Sequence, residues 1–529
     1  MKRPLLLYLE SYLKADPSPF HTPGHKGKWG DIFEIPGFDP FCADIADDIA
    51  DITAKIRESE NLASKIYGTR RSLYLVNGST SGIQIMFLAT LKPGDKVIIG
   101  RNMHRSAVSA MITTGAIPVY VQSRFNENWI PLNVTPEDIE TAIIENPDCK
   151  AVYVTSPTGL GICADVEEIS RICRKYDKLF LVDGAWEAHF PFHRDLPPSA
   201  IESGADMVVQ SVHKTLASLS GTSILHVCND RIDINKVESA KRMVETTSPN
   251  LLYYLSIENA VVMMAEKGEE ILSRAIEMAD SCREGIRETP EMLESNAKNS
   301  IVSFDGLKSK AQNSDSHNII PHYDSLEDSP HYNSHENNPH LQVGDREAQK
   351  NFNCFNSFPI NDFRTDPTKL ILSVNREKTG ISGIEVAERL KHTHGVEAEM
   401  SSLDYVVFIF TGFETDRDVD RLRDSIDSIS GLGNPSCKGP NTSSLPGMKL
   451  SPRDAYFRDK EMIPLSQSPG RISAEIITPY PPGIPLLVPG EELTCDVVDY
   501  INKILNHGGN VRGLDVRDEG AFVWAVVSQ

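Results

Sequence analysis

The chain has 529 residues, too many for one hydrophobic core to keep growing, so two or more domains are expected. Its 53 Lys and Arg against 74 Asp and Glu leave a formal charge of -21, which argues against a nucleic-acid partner, and 40% hydrophobic content suits a soluble globular protein. No segment reaches the roughly 20 apolar residues of a membrane span, and Tyr8, Glu10 and Lys14 break the opening apolar run before it reaches signal-peptide length, so a cytoplasmic protein without a membrane partner is expected.

Residues 1–63 read as an N-terminal segment. From Ser64 to Val227 short apolar runs alternate with helical patterns, the signature of an α/β fold with a mainly parallel sheet covered on both faces. Strands are expected at Lys96 to Ile99, Ile117 to Val121, Ala151 to Thr155, Leu179 to Val182, Met207 to Gln210 and Thr222 to His226. Helices are expected at Gly82 to Thr90, Arg105 to Thr114, Pro136 to Glu145 and Val166 to Tyr176. Beyond Asn250, Ile257, Val261, Met264 and Ile271 fall on one face of a long helix that closes a large domain over 64–290. A smaller α+β domain follows over 291–430, with strands at Lys369 to Val374 and Tyr405 to Phe410 and a helix at Gly383 to His392. A polar insert at about 309–358 interrupts it and reads as disordered. His317, His322, His331, His335 and His340 lie there without an HxxxH helix or cysteine partners, so a solvated loop is read rather than a metal site. A polar linker at 431–450 leads to a C-terminal segment at 451–529. The nine cysteines form no CxxC pair and read as reduced thiols.

Four clusters carry chemistry. Ser211-Val212-His213-Lys214 follows an expected strand, and a lysine there, with hydroxyl and imidazole neighbours, can form an imine while those neighbours hold a phosphate. Alone, the tetrapeptide is equally an exposed lysine in a Ser-rich loop. Upstream, Leu181-Val182-Asp183-Gly184-Ala185-Trp186 puts a carboxylate at another strand end, where it can keep a pyridine nitrogen protonated; without Lys214 it could as well be a helix cap or metal ligand. Asn77-Gly78-Ser79-Thr80-Ser81-Gly82, ahead of a helix, offers backbone N–H groups and the Ser79 and Thr80 hydroxyls to an anion. It lacks the GKS/GKT ending of a P-loop and the GxGxxG of a dinucleotide fold, which disfavours ATP and NAD. His104, just past a strand, can stack on a cofactor ring and donate a proton.

Along the chain the clusters run phosphate turn, histidine, strand-end aspartate and lysine, and in that order they resemble fold-type I enzymes of pyridoxal 5'-phosphate (PLP), and more narrowly the Orn/Lys/Arg decarboxylase family in its shorter form. Pro19-Phe20-His21-Thr22-Pro23-Gly24-His25-Lys26-Gly27 resembles that family's N-terminal signature, and Thr155-Ser156-Pro157-Thr158 with Gly161-Ile162-Cys163-Ala164-Asp165 its central loop. Gly470-Arg471-Ile472-Ser473-Ala474-Glu475 and Pro479-Tyr480-Pro481-Pro482-Gly483-Ile484-Pro485 resemble a third signature. The resemblance implies a fold-type I large domain with a mainly parallel seven-stranded sheet and a smaller α+β C-terminal domain. It implies PLP held by Lys214 as a Schiff base and Asp183 at the ring nitrogen. Ser79, Thr80, Ser211 and His213 would hold the phosphate, His104 would stack on the ring, and Ala185 would pack against its other face with His189 nearby. The implied reaction, with Lys214, His104 and Asp183 as catalytic residues, is decarboxylation of a basic amino acid, arginine before lysine or ornithine. Glu475 is the candidate partner for the substrate's distal cation. A homodimer or higher homo-oligomer is implied, with residues 21–27 contributing to the neighbouring subunit's site. The chain departs from the family pattern at Gly184, where Glu commonly follows the Asp, and at Gly159-Leu160, where an aromatic residue commonly follows Ser-Pro-Thr. An aminotransferase would share Asp183 and Lys214 but should carry a carboxylate-binding Arg near its C-terminus; a silent regulatory relative would have no use for Lys214, Asp183 and His104 together.

Overall fold

The structure, a computed structural model, describes residues 14, 17–26, 49–124, 132–288, 301–303, 363–374, 381–429, 446–480 and 483–527. The insert at 309–358, with its five histidines, lies outside the described residues.

β1 (Ser18–Phe20) and α1 (Ile49–Tyr67) come first. Seven strands then build one sheet: β2 (Arg71–Leu75), β3 (Lys96–Gly100), β4 (Ile117–Val121), β5 (Ala151–Thr155), β6 (Leu179–Asp183), β7 (Met207–Gln210) and β8 (Ser223–Val227). Along them run α2 (Gly78–Thr90), α3 (Arg105–Thr114), α4 (Pro136–Glu145), α5 (Val166–Lys175), the four-residue α6 (Val212–Thr215) and α7 (Ile234–Val244). The spatial order is β2-β8-β7-β6-β5-β3-β4, and β8 alone runs against the others. The link from β7 to β8 holds only α6, too little helix for a parallel crossover, so β8 returns antiparallel beside β7.

Side chains alternate across the sheet. Ala151 and Tyr153 of β5 join the core under α2, α3 and α7, while Val152 and Val154 join the core under α4 and α5. With both faces covered, every residue of β5 is buried, which is why such strands read as continuous apolar runs. The helices present matching stripes: in α5, Val166, Ile169, Ile172 and Cys173 face inward at helical spacing, and Asp165 caps the helix by accepting the Glu168 N–H.

α8 (Leu251–Glu288) is 38 residues long and serves two cores. Ile257, Val261 and Met264 pack on the large domain, whereas Ala275, Met278, Ala279 and Cys282 pack on a second core. That core lies against a four-stranded sheet of order β12-β13-β10-β9, made of β9 (Ile301–Ser303), β10 (Lys369–Val374), β12 (Met400–Ser401) and β13 (Tyr405–Ile409), with α9 (Gly383–Arg389) and α10 (Asp416–Ile429) upon it. β1 pairs in parallel with β11 (Val396–Ala398), and Phe20 packs edge-on against Phe408 and Phe410. The segment read as one stretch over 1–63 therefore divides: β1 joins the small domain and α1 packs Ala63 and Tyr67 on the large one. A third unit contains α11 (Pro452–Phe457), β14 (Lys460–Pro464), β15 (Thr478–Tyr480), α12 (Cys495–Asn506), β16 (Asn510–Arg512), β17 (Leu514–Arg517) and β18 (Gly520–Val526), closed around Leu465, Ile477, Leu487, Ile501 and Val523. Among the described residues no helix is long and apolar enough to cross a membrane.

Candidate active site

Six parallel strands end at one edge of the large sheet, where turns and open main-chain groups meet. β6 ends on Asp183, β7 runs into residues 211–214, β2 runs into the turn before α2, and β3 leads through Arg101 to His104. The topology thus gathers the four clusters in one place.

Lys214 Nζ lies 3.9 Å from the centre of the Trp186 ring. Burial lowers its pKa to about 8 against the pull of Asp183 and Glu399, with Lys369 adding to the lowering. Roughly a tenth of the amine is then neutral and nucleophilic at pH 7, far more than for an ordinary lysine. Asp183, on the adjoining strand, is 2% exposed. Its Oδ1 accepts the Ala185 N–H at 3.2 Å and its Oδ2 accepts the Tyr153 hydroxyl at 3.1 Å. Burial raises its pKa and the Lys214 charge opposes the rise, so a cationic N–H set against this carboxylate would stabilise its ionised form.

Ser79 Oγ lies 2.7 Å from Ser211 Oγ and 3.0 Å from Ser223 Oγ. Neither Asn77 before α2 nor Ser211 before α6 caps its helix with a side chain, which leaves first-turn N–H groups for an anion. Thr80 is exposed beside them. His213 Nδ1–H donates to Thr222 O at 2.8 Å, and burial holds its pKa near 4. Its Nε2 becomes a donor on taking up a proton, which a phosphate's charge would favour. His104 caps α3, its Nδ1 accepting from the Ser106 N–H at 3.3 Å and lying 2.7 Å from the Ser106 hydroxyl. Burial, then the charge of Lys214, lowers its pKa to about 3, so the imidazole is neutral. A Cβ at Gly483 would stand 3.5 Å from its Cδ2 and Nε2, so the C-terminal signature borders this ring.

The N-terminal signature also reaches the site. Gly24 N–H donates to His213 O at 2.8 Å, and a Cβ at Gly24 would stand 2.6 Å from Leu216 O, an approach that glycine alone permits. Lys26 is buried with Glu414 at 3.3 Å. Gly24 therefore lies against the Lys214 loop of its own chain, while His21, Thr22 and Lys26 meet Glu397, Glu399 and Glu414; Gly27 is outside the described residues.

Tyr153, Ser223, Asp366, Lys369 and Glu399 belong to no motif, yet the fold brings them here. Lys369 Nζ lies 4.6 Å from the centre of the same Trp186 ring and 3.7 Å from Asp366 Oδ2, without a hydrogen-bond partner. His189 Nε2 meets the same Asp366 oxygen at 3.2 Å. Glu399, between β11 and β12, accepts the Thr22 N–H at 2.6 Å, and its charge acts on Lys214, Lys369 and Lys26 alike. Both departures from the family pattern are filled: a Cβ at Gly159 would stand 3.0 Å from Met400 Cε, and one at Gly184 would stand 2.6 Å from Glu187 Oε1. Glu475 is the exception among the expected residues. Its partly exposed carboxylate pairs with Lys460 of β14, whose amine lies over the Tyr456 and Trp524 rings of the same C-terminal unit. That unit instead presents Pro485 and Glu491 to Arg101, which donates to Pro485 O at 2.6 Å and to Glu491 Oε2 at 2.9 Å.

A sheet of this order with a lysine and an aspartate at adjoining strand ends is the architecture of fold-type I PLP enzymes, and solved structures of that class share it. The chain is similar to lysine decarboxylase A from Pseudomonas aeruginosa (TM-score 0.70, 19% identity, 98% of this chain and 81% of that one) and to ureidoglycine-glyoxylate aminotransferase from Bacillus subtilis (TM-score 0.51, 14% identity, 79% and 94%). Residues 3–418 match the family described as Orn/Lys/Arg decarboxylase, major domain, and residues 439–523 match its C-terminal domain. The chain is 30% identical over 524 residues to the arginine decarboxylase of Bacillus subtilis strain 168, covering 96% of this chain and 95% of that protein. It is 24% identical to the lysine decarboxylase LdcA of Pseudomonas aeruginosa, covering 91% and 73%. The chain belongs to the Orn/Lys/Arg decarboxylase family, whose members are PLP-dependent amino-acid decarboxylases. The residues present fit that cofactor: the cluster pairs an amine near neutrality with a buried acid beside an open anion cradle, and Thr215 Oγ1 of the lysine loop is buried without a partner.

Proposed function

We propose that this chain holds PLP on Lys214 and releases CO2 from a basic amino acid, arginine in the first place, as a cytoplasmic homodimer. The observation that carries the reading is Lys214, its pKa lowered to about 8, beside buried Asp183 on the adjoining strand. When bound, PLP supplies a cationic ring that accepts the electrons released as the bond from Cα to the carboxylate breaks. Asp183 would keep the ring nitrogen's proton in place. Ser79, Ser211 and the first turn of α2 would hold the phosphate, with Thr80 and His213 beside them. His104 and Ala185 would pack against the ring. Lys214 Nζ is the better proton carrier to Cα, because its pKa lies near neutral pH while His104, near 3, stays unprotonated. Glu399 replaces Glu475 as the acid offered to the substrate's distal cation. Arginine is favoured because the chain spans 95% of the arginine decarboxylase relative but 73% of LdcA, at higher identity to the former.

Purified protein should absorb as a protonated PLP imine, and borohydride should fix the cofactor to Lys214. A Lys214→Ala protein that kept a reducible imine would sink the assignment. CO2 release measured separately with arginine, lysine and ornithine should be fastest with arginine; an intact imine with no CO2 from any of the three would point to transamination or a silent relative.

A further inference from the structure

Within the large domain a line of buried polar side chains crosses four neighbouring positions of the sheet. Ser72 lies on β2, His226 on β8 and Gln210 at the end of β7, while Glu187 closes the turn after β6; these strands are adjacent in that order. Ser72 Oγ lies 2.9 Å from His226 Nδ1, His226 Nε2 lies 3.2 Å from Gln210 Oε1, and Gln210 Nε2 donates to Glu187 Oε1 at 3.2 Å. None of the four is more than 1% exposed. Because Gln210 turns its amide nitrogen to Glu187, its oxygen accepts from His226 Nε2–H, and His226 Nδ1 accepts the Ser72 hydroxyl. Every donor in the line points toward Glu187, whose second oxygen accepts the Ala200 N–H at 3.0 Å.

The reaction as derived above uses none of these groups, and apolar side chains would serve a buried sheet at lower desolvation cost. What the line joins is informative. Glu187 N–H donates to Gly184 O at 3.0 Å, closing the turn that begins at Asp183, and its carboxyl group fills the space over Gly184. Gln210 is the last residue of β7, directly before the loop that ends in Lys214.

We propose that Glu187 is a positioning residue which, through Gln210, sets the separation of Asp183 from Lys214 and so the grip on the two ends of the cofactor ring. This rests on the reading that those two residues hold PLP. The test uses the full chain, stripped of cofactor and titrated with PLP while imine absorbance and its pH dependence are followed. Glu187→Ala and Gln210→Ala should each weaken PLP binding about tenfold and shift the pH at which the imine loses its proton. The double variant should be no weaker than either single one, because both act through one contact. Glu187→Gln, which can still accept from Gln210, should stay within about threefold of the parent. Wild-type PLP affinity and imine titration in both alanine variants, with only a lower melting temperature, would overturn the proposal, as would additive losses. If Glu187→Ala does not fold, Gln210→Ala alone decides: parental affinity and titration overturn the proposal. A parent protein that forms no imine overturns the Lys214 reading instead, before any variant is compared.

Discussion

The Lys214 amine is kept near neutrality chiefly by burial, and the neighbouring charges adjust that value. Lys369 is a neighbouring cation that adds to the lowering, and it shares the Trp186 ring. Lys369→Met should therefore raise the Lys214 pKa, and pH-dependent amine labelling of the cofactor-free protein, read by mass spectrometry, checks the direction. Glu399 invites a different test. Glu399→Gln should raise KM for arginine about tenfold with the imine spectrum intact, whereas norleucine, which has no distal cation, should show no such difference between the two proteins. Asp183 and Lys214 were legible in the sequence because each sits in a contiguous motif directly after a strand. Lys369 and Glu399 were not, because each is an ordinary strand-end residue whose role comes from packing against a distant turn.

At the scale of elements, a buried ion pair fastens the C-terminal unit beside the site. Arg101, on the turn that also carries His104, grips Glu491 and the carbonyls of Pro485 and Leu486. Glu491 is fully buried, and burial raises its pKa while Arg101 opposes the rise. Arg101→Met leaves that carboxyl without its cation and should cost about 3–5 kcal/mol, measurable by urea unfolding. It should also free the loop bordering His104, which faster proteolysis near Gly483 would report. The glycine-rich signatures were visible in the sequence, but their partners were not: the Ser79 and Ser223 hydroxyls that meet at 3.0 Å are 144 positions apart. Likewise, α8 was legible as a helix from its apolar spacing, whereas its division between two cores depends on what packs on each half.

For the whole molecule, buried titrating groups set how stability changes with pH. His25, His104, His213 and His226 fold neutral with pKa values near 4, 3, 4 and 3 against an ordinary 6.5, so below pH 6.5 the unfolded chain takes up protons that the native one refuses. Their contribution is complete above pH 6.5 and is lost as pH falls through the acid range. Glu187 acts in the opposite sense: burial raises its pKa from 4.5 to about 8, so its contribution is complete below 4.5 and is lost as pH rises to 8. Four histidines on the acid side outweigh this one carboxyl. The cofactor-free protein should be most stable near neutral pH with a steeper acid flank, and Glu187→Gln should flatten the alkaline one; denaturant midpoints across pH check both. By itself the sequence determined the doubly covered sheet and the strand-end placement of the lysine, aspartate and serine clusters, since hydrophobic period and turn chemistry are local properties; β4, β5 and β7 stand where their apolar runs predict. Only the tertiary structure decided that β8 runs antiparallel, that β1 joins the small domain, that Glu475 stays with Lys460, and that Glu187 occupies the space over Gly184. Those outcomes depend on which surfaces and charges meet across long stretches of chain, and no local pattern encodes that.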